Sequence, residues 1–332
     1  MTPAHWWLLA LLSWAGLSLL WSTVFDDALN GFLQLVFMAA AFAVGAEISN
    51  AKHLYRGLGI GLAVSSVIAI AQMAGYQPVN VALGNAAPAG LFINSNFLGW
   101  AAALVFVLLL AQRDWLLGIA VLPALILSNC RIADLAVIAC VGVLAWRWSP
   151  LKTIVGVIVL LALFARPQMF DGGSLLQRSD LWLDAIGGFT FFGHGIGSFY
   201  STFPLHNPRV FIEQIQINAW IEVAHAHNDF IEFAFELGIP GCILAVGLLA
   251  TCWRSGRLVE RLGLLCIGIT ALAGFPLYEP LTATLFALMA GHAAGGRHRL
   301  RRTEFHGGSL LYARSEQLRD RLAVASRATV SA

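Results

Sequence analysis

Charge is scarce in this chain. Asp, Glu, Lys and Arg make up 11% of its 332 residues, against 58% apolar residues that include 21 Phe and 11 Trp. So little polar surface cannot coat a soluble globule, and membrane becomes the default class. Cysteine is also scarce: Cys130, Cys140, Cys242, Cys252 and Cys266 lie in or beside apolar runs without CxxC spacing. That pattern indicates neither a disulfide framework nor a zinc site. No HExxH is present, Asp26-Asp27 is the nearest approach to DxD, and no long-period repeat or low-complexity stretch stands out. Neither a metal, nor a cofactor, nor a nucleic-acid partner is expected.

What is present is a succession of apolar runs, each near the roughly 20 residues that a helix needs to cross a hydrocarbon core. They lie at about Trp6 to Trp21, Leu29 to Ile48, Leu54 to Ala74, Phe97 to Ala111, Trp115 to Leu127, Ile132 to Trp146 and Ile154 to Phe164. After a long polar interval come Phe230 to Trp253, Leu258 to Gly274 and Pro280 to Ala294. Because the runs are continuously apolar rather than alternating, they predict helices, not a barrel. The expected fold is an all-α polytopic membrane protein of about ten transmembrane helices with one large loop. Its parts are a bundle over 1–165, the loop over 166–228, the closing helices over 229–296 and a basic tail over 297–332. The first run lacks a basic residue ahead of it and ends in Trp21-Ser22-Thr23-Val24-Phe25, so it reads as an uncleaved helix rather than a signal peptide.

Lys and Arg favour the cytoplasmic side of short loops. With the amino terminus inside, the inward connections hold Lys52, Arg56, Arg113, Arg147, Lys152, Arg254, Arg257 and Arg261, and the tail adds eight arginines from Arg297 to Arg327. Only Arg131, Arg166, Arg178 and Arg209 remain outside. The expectation is therefore a bacterial inner-membrane protein with both termini cytoplasmic and the large loop periplasmic. In the tail, Leu311, Leu318, Leu322 and Ala325 share a helical face with Arg314 and Arg321 beside it, which reads either as a helix on anionic lipid or as a frayed basic terminus.

Ionisable side chains at membrane depth are costly, and those that persist on one face are functional candidates. Arg131 sits in a short outward turn, Ser128-Asn129-Cys130-Arg131, where the charge bias disfavours it. It reads as a functional cation or as an Arg snorkelling to headgroups. Arg178 begins a stretch, to Ile186, that suits an interfacial helix. The glycine-rich Phe192-Gly193-His194-Gly195-Ile196-Gly197 either aims amides at a phosphate or makes a tight turn. The densest polar cluster, Glu222 to Glu232, includes His225, His227, Asn228 and Asp229, where the chain re-enters the membrane. Two histidines at i and i+2 cannot share a helix face, so at least one is set by non-helical backbone or points elsewhere. Acid–base chemistry suits them, since imidazole titrates near neutral pH. Asp229, Glu222 and Glu232 are equal candidates for an orienting carboxylate, while His194 and His206 read as hydrogen-bonded structural residues.

The stretch His227-Asn228, nine residues, Gly238-Ile239-Pro240-Gly241 fits a signature of bacterial O-antigen ligases: His, then Asn, Ser or Gln, nine residues, Gly, two residues, and Gly, Thr or Tyr. Arg178-Ser179-Asp180-Leu181-Trp182, the glycine-rich segment and His225 to Gly241 resemble the shared region of the O-antigen ligase and polymerase superfamily. Gly90-Leu91-Phe92-Ile93-Asn94-Ser95-Asn96 resembles its outward segment. The resemblance implies a C-type glycosyltransferase architecture and transfer of a glycan from undecaprenyl pyrophosphate to a sugar hydroxyl of an acceptor such as lipid A-core, with inversion and without metal. It further implies His227 as general base, Arg131 and Arg178 on the donor pyrophosphate, and His225, Asn228 and Asp229 in support. An O-antigen or exopolysaccharide polymerase and a protein O-oligosaccharyltransferase are the near alternatives. A polysaccharide or lipid transporter is the alternative of another class, and it calls for mid-membrane charges or repeated halves with interrupted helices.

Overall fold

The computed structural model describes residues 1–77, 88–146, 173–210 and 223–295, and four isolated positions, 149, 154, 156 and 158. Regular structure among the described residues is entirely helical. Helices α1 (Pro3–Ser18), α2 (Phe25–Glu47), α3 (Lys52–Met73), α4 (Ser95–Ala111), α5 (Trp115–Leu127) and α6 (Arg131–Trp146) precede the central segment. Helix α7 (Gly173–Gly187) lies within it, and α8 (Asp229–Ser255), α9 (Leu258–Thr270) and α10 (280–295) follow. Every apolar run read above coincides with one of these helices except Ile154 to Phe164, most of which lies outside the described residues, as does the basic tail. Among the described residues three helices, α2, α3 and α8, are long and apolar enough to cross a membrane, while α4 and α5 are apolar but shorter.

Helix α4 forms the centre. Every side chain from Leu98 to Leu109 is buried, as expected of a helix apolar all round, and α3, α5, α6 and α9 pack about it. Asn94 starts this helix by accepting the Asn96 amide on its side-chain oxygen at 2.8 Å, an N-cap that occupies one of the helix's unpaired donors. Helices α2 and α10 touch backbone to backbone: a Cβ added at Gly291 would lie 1.9 Å from the Phe42 carbonyl oxygen, and one at Gly45 2.0 Å from that of Leu288. Small residues that admit such close approach are the usual means of helix association where lipid removes the hydrophobic drive. Outward faces carry apolar stripes at helical spacing, Ile60, Val64 and Val67 on α3 and Ile239, Ile243 and Val246 on α8.

The central segment has a small core of its own, where Leu181 and Ala185 of α7 meet Phe199, Phe203 and Phe235. Its junction with α8 is the main irregularity of the fold. Gly238 takes φ +62° inside α8, and Pro240 follows. Proline has no N–H for the Glu236 carbonyl, and the Ile239 amide turns away to Phe191 O at 2.9 Å. Two carbonyls are thereby left without helical partners. The glycine-rich loop supplies them, His194 N–H to Phe235 O at 3.1 Å and Gly195 N–H to Glu236 O at 2.8 Å. Gly193 and Gly195 take φ +76° and +106° to come this close, and a Cβ at Gly193 would sit 2.2 Å from Glu236 O. Of the two uses open to this loop, the structure therefore has the turn, with these amides occupied by protein carbonyls.

Candidate functional site

The site grows from the first turn of α8. Asn228 caps it, its side-chain oxygen accepting the amides of Phe230 at 3.0 Å and Ile231 at 3.1 Å while its Nδ2 donates to Leu272 O at 3.0 Å. Asp229 donates its amide to Ala271 O at 3.0 Å and accepts the Leu277 amide on Oδ2 at 3.0 Å. These bonds anchor the turn over 271–279 against the start of α8. Asp229 is 2% exposed, and its Oδ1 has no hydrogen-bond partner among the described residues.

Ahead of the cap the chain is non-helical from 223 to 228, as the i, i+2 histidines require. Ala226 between them is held at both polar atoms: its amide donates to Glu232 Oε2 at 2.8 Å, and its carbonyl accepts Trp182 Nε1 at 2.8 Å. Glu232 uses its other oxygen on His225 Nδ1, also at 2.8 Å. Of the two candidate carboxylates among the described residues, Glu232 is thus the one bonded to a histidine, and that histidine is His225. Asp229 faces the Leu277 amide, and Glu222 lies outside the described residues. His227 follows with φ +52°, left-handed backbone that costs a non-glycine residue about 1–3 kcal/mol.

Phe275 joins the two histidines. The His225 ring stacks on it with centroids 4.3 Å apart, and His227 meets it edge-on at 5.1 Å. Arg178 of α7 reaches the same turn through Nη1 to Ala273 O at 2.8 Å, and Arg131, half-buried at the start of α6, acts electrostatically on Arg178. Burial, then the charge of Arg178, then His225 push His227 down to about 4, so its imidazole is neutral at physiological pH. Burial first and Arg131 after it also lower Arg178, which still stays charged near neutrality. Burial lowers His225 as well, with Glu236 opposing. Arg178, His225, His227, Asn228 and Asp229 therefore gather around one turn, with Arg131 acting on it through Arg178, although they come from three separate segments.

No protein-family model and no curated protein matches the chain. Chemically, the arrangement offers two cations suited to an oxyanion, since a guanidinium fork binds phosphate oxygens in pairs. Beside them stands a neutral imidazole with a lone pair. Among the described residues no group of three or more His, Cys, Asp or Glu is arranged to hold a metal ion.

Two contributors escaped the sequence reading. Glu236, 2% exposed, accepts the Tyr278 hydroxyl at 3.0 Å and the Phe199 amide at 3.2 Å. The turn bearing Phe275 and Tyr278 was the other. The first had a signal, since Asp229, Glu232 and Glu236 recur on one face of an apolar helix; the second had none, because aromatic residues are common in every segment of this chain. His194 proves structural as expected, its Nε2 bonding Gly188 O at 2.7 Å.

Proposed function

We propose that the chain is an O-antigen ligase-like glycosyltransferase of the bacterial inner membrane. It moves a glycan from undecaprenyl pyrophosphate to a sugar hydroxyl of an acceptor such as lipid A-core, with its site on the periplasmic side, about ten spans and both termini cytoplasmic. The observation that carries the reading is the grouping of Arg131, Arg178 and a neutral His227 at the mouth of a helix long and apolar enough to span a membrane. A compartment without nucleotide sugars needs a lipid-linked donor, and a donor anchored in the bilayer meets a helical bundle at such a mouth.

In the proposed step the acceptor oxygen bonds to the anomeric carbon while the bond from that carbon to the pyrophosphate oxygen breaks. His227 takes the hydroxyl proton, and undecaprenyl pyrophosphate leaves as an anion. Arg131 and Arg178 stabilise the charge that builds on the leaving group. His225, held by Glu232, and the Asn228 cap fix the backbone that aims His227, and Asp229 ties that backbone to the 271–279 turn.

The test is His227→Ala in a correctly inserted protein, which should cut transfer by about two to four orders of magnitude. Near-normal transfer removes His227 from the mechanism. The surface glycan of a deletion strain separates the close alternatives: loss of all attached chains with lipid-linked polymer accumulating marks a ligase, and acceptor bearing a single repeat marks a polymerase.

A further inference from the structure

A cavity lies beside His225. It has a volume of about 220 Å³, the scale of one sugar ring, and its lining includes Asp27, Asn30, Gln34, His225, Glu232 and Glu236. No Lys or Arg is among the described residues that line it, and neither is His227. His225 is the shared element: it lines the cavity and bears electrostatically on His227. The two sides of the site thus differ in character. Arg178 bears on His227, whereas carboxyl and amide side chains without a described Lys or Arg lie beyond His225.

We propose that this cavity is the subsite for the acceptor's neutral sugar ring; the assignment rests on the glycosyl-transfer reading above. Sugar hydroxyls both donate and accept hydrogen bonds, and the carboxyl and amide side chains here offer partners for both. Tyr278 and Tyr200 line the same space, adding aromatic residues of the kind common to small-molecule pockets. A phosphate or carboxylate ligand is disfavoured, since no Lys or Arg is among the described residues that line the cavity and Asp27 adds an acidic group to it. The lining is also rigid. Glu232 is fixed by His225 and Ala226, Glu236 by Tyr278 and Phe199, and Gln34 by donating to the carbonyls of Leu277 at 3.3 Å and Tyr278 at 3.2 Å. Side chains held in this way bind without the loss of rotamer freedom that weakens flexible sites.

The experiment uses the full chain in detergent, a panel of methyl glycosides read by saturation-transfer NMR, and farnesyl pyrophosphate as a sugar-free donor analogue. Neutral methyl hexosides or heptosides should bind, methyl glucuronide should not, and Asn30→Leu and Asp27→Leu should each weaken glycoside binding about tenfold. Farnesyl pyrophosphate binding should be unchanged in both variants, which also shows that they are folded. Glycoside binding that is absent from the wild type, or unaltered in both variants, overturns the subsite and leaves the donor reading standing. Failure of farnesyl pyrophosphate to bind the wild type overturns the donor reading while the glycoside result still decides the cavity. Displacement of the glycoside by a farnesyl-pyrophosphoryl N-acetylglucosamine assigns the cavity to the donor's own sugar and overturns the acceptor assignment; retention supports it.

Discussion

Lowering the pH from 7.5 to 4.5 should destabilise this protein through His227 by an amount that follows from its surroundings. Burial and the neighbouring Arg178 hold the folded imidazole at about 4, whereas the unfolded chain titrates at about 6.5. Between these values the unfolded chain binds more protons, so stability rises with pH across that window and is lost as pH falls through it. Most of the window is crossed by pH 4.5, giving a loss of about 2–3 kcal/mol from this one group. In a protein of this size that corresponds to about 3–4 °C in the melting midpoint. The assay is intrinsic tryptophan fluorescence of detergent-solubilised wild type and His227→Gln at both pH values. The wild type should lose about 3–4 °C more than the variant, because contributions from His225 and other groups are common to both and cancel to first order. Equal losses, or an NMR titration that puts His227 within half a unit of 6.5, would refute the reasoning that burial and Arg178 set its protonation. The same value predicts that transfer stays flat from about pH 8 down to about pH 5.

Further outcomes follow from other contacts. Gly238→Ala places a Cβ 2.2 Å from Phe191 O at φ +62°, so it should cost more than about 2 kcal/mol and lower the yield of folded protein in size-exclusion chromatography. Glu232→Ala strips the partner from His225 Nδ1 and from the buried Ala226 amide; a stability loss of about 2–4 kcal/mol is expected in thermal melts, with Glu232→Gln recovering part of it. Arg131→Lys should impair transfer at least about tenfold, since a point charge does not replace a bidentate fork; full activity in a donor-turnover assay would favour the snorkelling reading. Trp182→Phe removes the Nε1 bond to Ala226 O and should cost about 1 kcal/mol in the same melts.

The helices were legible because their signal is one-dimensional. An apolar run of sufficient length predicts a helix wherever backbone groups must pair within the segment, and the runs from Leu29 to Ile48 and Phe230 to Trp253 fall on α2 and α8. The site was half legible. Arg178, His225 and His227 stood out as polar residues in apolar surroundings, and the position of His227 ahead of a capped helix could be read from Asn228 onward. Which carboxylate bonds which histidine was not legible, because Glu232 reaches back seven residues to His225 only through a backbone path set by Trp182 and the 271–279 turn. The glycine-rich segment carried an ambiguous pattern, and its use was decided more than forty positions away, where Pro240 leaves the Glu236 carbonyl vacant and the break at Gly238 turns the Ile239 amide away from that of Phe235.

That interlock between the glycine-rich loop and the broken part of α8 has a consequence for biogenesis. The loop's amides have their partners only after Phe235 and Glu236 have been synthesised, and the break is further held by Trp14 Nε1 donating to Leu237 O across 223 residues. Contacts so distant in sequence close late, after most of the chain has left the ribosome. The loop consequently waits, incomplete, for the first turns of α8. A chain stalled or truncated before α8 has no partners for these amides and leaves that part of its backbone unpaired.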